Sequence, residues 1–132
     1  MRNHLYSFFH DRSGSASVEF ALWLPLLFGI VLMVTDVTLL LQKKSYYWDV
    51  SHETARIVAR HAFDAEDGMQ HASTRLSQDG YTPEVGVLID AQNQIVTVVV
   101  IAEAARLTPF GMLSMMLGDK IEVRVSQALE PI

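Results

Sequence analysis

The stretch Arg12–Val34, "RSGSASVEFALWLPLLFGIVLMV", decides how this chain folds. Phe20 to Val34 carries no charge and is almost wholly apolar, and the apolar character resumes after Asp36 as far as Leu41. As a helix, Val18 to Leu41 would measure roughly 36 Å, enough to cross a hydrocarbon core of about 30 Å. A chain of 132 residues has too little else to hide such a helix on every side, so a membrane span is expected rather than a core helix. No small-x-small site follows the run, which argues against a cleaved secretory signal. Inside it stand two acids, Glu19 near the mouth and Asp36 near the far end.

Outward from the run, charge divides the chain. Arg2 and Arg12 against Asp11 make the first fourteen residues net positive, whereas the part from Gln42 onward is acidic, within a total of −5. An acidic outer portion argues against nucleic acid as a partner. Lys43, Lys44, Arg56 and Arg60 lie close to the far end of the run, so the positive-inside rule alone does not set the orientation. The absence of cysteine excludes disulfides and thiolate metal sites without identifying a compartment.

The helical pattern continues past the apolar run. Tyr47, Val50, Thr54, Ile57, His61 and Ala65 recur at spacings of three and four, with Val58 and Ala62 widening the stripe and charged residues opposite. No proline or glycine interrupts Ile30 to Asp67, which predicts one helix from about Ser15 to Glu66, apolar all round in its first half and amphipathic in its second. Gly68 then breaks the pattern, and Asp67 is placed to cap a short second helix ending near Gly80. After "GYTP" the period becomes two: Val85, Val87 and Ile89 alternate with more polar neighbours, "IDAQNQIV" reads as a hairpin turn, and Ile95–Ala102 reads as a central strand. Ile121, Val123 and Val125 give a return strand. The predicted class is α+β: a long N-terminal helix packed on a small three-stranded antiparallel sheet that is not stable without it.

Catalytic motifs are hard to find. "HETAR" at His52–Arg56 begins like the H-E-x-x-H zinc signature, but Arg56 stands where the second histidine belongs, and His61 falls on the opposite face. Asp90, Glu103 and Glu122 are candidates for a carboxylate cluster on the sheet, and solvated strand acids are the plainer reading. Nucleophile elbow, phosphate loop and dinucleotide fingerprint are missing. The expectation is a chain without enzymatic activity, cofactor or metal.

Glu19 has a more specific reading. Cleavage after Gly14 would make Ser15 an N-terminal ammonium and put the carboxylate four residues on, where one subunit's Glu19 meets another's ammonium when helices pack with an axial offset. The alternative is a glutamate that snorkels at the membrane edge. The stretch "RSGSASVEFALWLPLLFGIVLMVTD" resembles the N-terminus of the TadE-like family, pseudopilins of the tight-adherence (Flp) pilus, with similar motifs in its TadF and TadG relatives. Gly14, Glu19, Phe20, Pro25 and Asp36 match that pattern one by one, and "TPFGMLSMMLG" resembles the family's later half.

The resemblance implies a pilin-like fold and a division into a cytoplasmic leader (1–14), a transmembrane helix (15–41) and an extracytoplasmic domain (42–132). It further implies processing at Gly14–Ser15 by an aspartic prepilin peptidase, with Glu19 and Phe20 serving recognition and assembly. The partners expected are that peptidase, other Tad pilins and pseudopilins, the inner-membrane Tad secretion platform and membrane lipid. The location expected is the bacterial cytoplasmic membrane, single-pass with the N-terminus inside, and also the pilus. Pro25 removes a helical hydrogen bond, which either lets the helix bend on leaving lipid or is a tolerated kink. Asp36 either snorkels or takes part, with Thr35 and Thr38, in an intramembrane contact between subunits. Met112, Met115 and Met116 suit either an adaptable subunit contact or a packed core. The function expected is a minor pilin or pseudopilin in Tad/Flp pilus biogenesis, used in surface adherence; the alternative is a single-pass anchored envelope binding module outside any filament.

Overall fold

A computed structural model describes residues 13–78 and 80–131, with the side chains of residues 13–16, 115 and 117 not described. Residues 1–12 of the expected leader lie outside that range, as do the side chains of Gly14 and Ser15. Helix α1, Ser13–Ala59, runs for 47 residues straight through Pro25, or roughly 70 Å. Helix α2 spans Ala65–Leu76. Strands β1 (Glu84–Asp90), β2 (Ile95–Glu103) and β3 (Lys120–Ala128) form one antiparallel sheet in the order β1-β2-β3. Two single-turn helices, α3 (Ala104–Leu107) and α4 (Ser114–Leu117), sit in the connection from β2 to β3. The α+β architecture read from the sequence is the one observed.

The sheet shows its alternation most cleanly on β2, where Val96, Val98, Val100 and Ala102 are buried and their neighbours are not. Register pairs Val87 with Val98, and Val98 with Val125, so a valine row crosses the sheet and faces α1. Against it α1 buries Tyr47, Val50, Ala55, Val58 and Ala59. Two contiguous apolar clusters result, one around Leu40, Tyr47 and Leu113 and one around Ala55, Val58 and Val96. The β1–β2 turn is organised by Asp90, whose carboxylate accepts from the N–H groups of Gln92 and Asn93 and from the Asn93 amide. Those bonds hold its pKa below the usual carboxylate range.

Two sequence expectations are corrected here. Helix α1 ends at Ala59, not near Glu66. His61 takes a left-handed conformation (φ 58°), the Ala62 N–H reaches back to the Ile57 carbonyl, and the His61 N–H to Val58. This is a Schellman end with histidine where glycine is usual. The C-terminal segment secures it: the Glu130 N–H donates to the Ala59 carbonyl, Arg60 pairs with the Glu130 carboxylate at 3.2 Å, and the His61 ring meets the Glu130 carbonyl. The buried stripe therefore stops at Ala59, and His61 and Ala62 are exposed.

Gly68 is the second correction. It lies inside α2 rather than at its first position, and the cap is Asp64 instead of Asp67, its side chain accepting from the Asp67 N–H at 2.8 Å. Gly68 is buried where α2 crosses α1: a Cβ there would stand 2.6 Å from Val58 Cγ2 and 3.6 Å from Thr54 Cγ2. Both neighbours are buried, β-branched and stiff at χ1. The glycine is there to let two helices touch.

Candidate functional site

Two parts of α1 carry the residues singled out by sequence. The first is its N-terminal half, which no other element covers. Phe20, Leu22, Trp23, Phe28 and Val31 are each more than half exposed, and the exposed apolar surface runs from Val18 to Val34. Monomeric soluble proteins rarely present so large a contiguous apolar surface. Among the described residues one helix is long and apolar enough to cross a membrane, and it fits a single-pass anchor. Glu19 and Phe20 are exposed at its start, and no ion pair or side-chain hydrogen bond to Glu19 occurs among the described residues. Thr35 and Thr38 turn their hydroxyls onto the Val31 and Val34 carbonyls of their own helix. That back-bonding occupies their donors and takes them away from Asp36.

The second part is Asp36 itself, which is fully buried. Its Oδ1 accepts from the Phe110 N–H at 3.1 Å and its Oδ2 from the Met112 N–H at 2.9 Å. A carboxylate in the apolar run thus bonds main-chain donors 74 and 76 residues away within the same chain. The recipient is the turn 108–112: Pro109 starts it, the Gly111 N–H closes it onto the Thr108 carbonyl, and Gly111 adopts φ 68°. Thr108, buried, anchors the turn through its hydroxyl to the Ala104 carbonyl. Leu113 points into the core. Phe110, Met112 and Met116 point away from it and are 51%, 43% and 73% exposed. The Met115 side chain lies outside the described residues. Phe110 was not singled out by its sequence; an aromatic after Pro109 has no period to mark its direction.

The remaining polar candidates are used structurally or stand apart. Glu53 of "HETAR" receives both its hydrogen bonds from Arg75 at 2.8 Å, tying α1 to α2, and His52 stacks on Trp48. Asp90 sits at the hairpin turn, Glu103 at the opposite end of β2 opposite Lys120, and Glu122 pairs with Arg124, so the three acids are not gathered. Among the described residues no cluster of three metal-ligating side chains occurs.

Compared with known proteins, the chain matches no curated protein and no solved structure. A family model described as TadE-like protein matches residues 14–56, which covers the exposed apolar half of α1 and most of its packed half. Over those residues the chain is similar to the TadE-like family, which suggests a protein associated with the Tad pilus and its other components.

Proposed function

We propose that this chain is a non-enzymatic minor pilin or pseudopilin that supports assembly of a Tad/Flp pilus. The observation that carries the reading is the pairing of a TadE-like segment, 14–56, with a helix whose first half is bare and whose second half is built into a small domain. A helix bare on all sides suits lipid at one stage and neighbouring helices at another. A prepilin peptidase cuts after Gly14 on the cytoplasmic side, Ser15 becomes the N-terminus, and the anchor is retained because the cut precedes the apolar run. The domain then lies outside the cytoplasmic membrane, where it meets other Tad pilins and the secretion platform. Glu19 is the residue that meets a neighbouring subunit's ammonium, satisfying both charges and setting the axial register. Phe20 stands beside it at the cut-proximal end of the helix.

The test is genetic. Cells lacking this chain are expected to make no Tad pili by electron microscopy, and complementation with the intact chain is expected to restore them. Normal piliation without it would overturn the reading.

A further inference from the structure

We propose that the turn 108–112 together with α4 is a lipid-embedded wedge: Phe110, Met112 and Met116 insert into the leaflet on the domain's side of the membrane that α1 crosses. The inference rests on reading α1 as a membrane span and adds a second point of contact with that membrane. The occupant follows from depth along α1. Counted from Glu19, a hydrocarbon core of about 30 Å takes up about 20 helical residues, reaching the level of Leu39. Asp36 is therefore about one turn inside the boundary, and its side chain leans toward the helix N-terminus, deeper still. The first cations past it are Lys43 and Lys44, and Leu41 between them and Asp36 is 60% exposed, continuing the apolar belt on the uncovered face.

Because Asp36 holds the Phe110 and Met112 amides at 3.1 and 2.9 Å, the turn is fixed at Asp36's own level. Whatever surrounds the exposed apolar belt at that level surrounds Phe110 and Met112 as well. Irregular backbone at such depth has no water to bond to and persists only where protein supplies the partners. Asp36 supplies two acceptors, and the Thr108 and Ala104 carbonyls take the Gly111 N–H and the Thr108 hydroxyl. An acid in a membrane span is then accounted for without a subunit partner: it satisfies a loop that enters lipid. Phenylalanine and flexible methionines are side chains suited to an acyl-chain boundary.

The chain has no cysteine, so single labels can be placed at will. The intact chain, reconstituted in phosphatidylcholine–phosphatidylglycerol vesicles, would carry an environment-sensitive fluorophore on Phe110→Cys or Met116→Cys. Leu27→Cys in the apolar half and Leu88→Cys on the exposed face of β1 serve as references. Lipids spin-labelled near the headgroup end of the acyl chain are expected to quench the Phe110 and Met116 labels at least half as strongly as the Leu27 label, and to leave Leu88 unquenched. Leu27 quenched with Phe110 and Met116 no different from Leu88 would overturn the wedge and leave the anchor intact. Leu27 unquenched would remove the anchor and the wedge together. Quenching at Phe110 that vanishes as the protein-to-lipid ratio rises would assign the surface to a second copy of the chain and overturn the lipid proposal.

Discussion

Replacing Glu19 with alanine is expected to leave a chain that inserts in the membrane and builds no pili. Glu19 stands exposed at the start of the apolar half of α1 and, among the described residues, has no partner within its own chain. An acid costs about 2.5 kcal/mol or more at the centre of a span on insertion scales and less at its edge, so alanine should enter the membrane at least as well. What alanine removes is the partner for a neighbour's Ser15 ammonium, and with it the register of one helix against the next. Pili, membrane level and leader removal have to be scored separately: pili should fall, membrane level should hold, and leader removal should hold if the peptidase reads mainly Gly14. Normal piliation by a stable, processed Glu19→Ala protein would reduce the glutamate to a residue of the membrane edge.

Asp36→Ala is expected to release the turn 108–112 and to cost about 2–6 kcal/mol, the penalty for two N–H groups left without acceptors at about 1–3 kcal/mol each. Asp36→Asn should recover only part of this. Its amide oxygen can accept from one donor, but its NH2 group then faces the other, and two donors cannot bond. Hydrogen exchange in lipid nanodiscs is the direct readout. The Phe110 and Met112 amides should exchange far faster in Asp36→Ala, while amides in β2, whose partners on β1 and β3 are untouched, should change only with global stability. Unchanged exchange at Phe110 and Met112 would mean that the turn holds itself and that the carboxylate does not fix it.

The two acids show what sequence could and could not disclose. Glu19 is legible because its meaning is local: a glycine, a run of small residues and a carboxylate at fixed spacing before an apolar run. Asp36 is visible as an anomaly in that run, but its partners are main-chain donors contributed by Phe110 and Met112. A backbone N–H carries no side-chain signature, so the sequence offers only snorkelling or a contact between subunits with Thr35 and Thr38, and neither reading names the turn 108–112. The outer strands β1 and β3 are readable from period two and the central strand β2 from its apolar run, because one face of the sheet is buried against α1. The end of α1 was not, because a left-handed His61 becomes favourable only once Glu130 is latched over it. Gly68 was seen and misread for a similar reason. Glycine as a helix breaker and glycine as a helix contact are the same letter, and only the approach of Val58 to 2.6 Å from its missing Cβ separates them.

Processing at Gly14 bears most directly on the pilin reading, since a simple membrane anchor has no need of it. Intact mass and N-terminal sequencing of the protein from cells with an active prepilin peptidase are predicted to show a chain beginning at Ser15, with Met1 to Gly14 gone. A chain still carrying Met1 to Gly14 in those cells would contradict the account, and would return the protein to the class of single-pass anchored modules that never enter a filament.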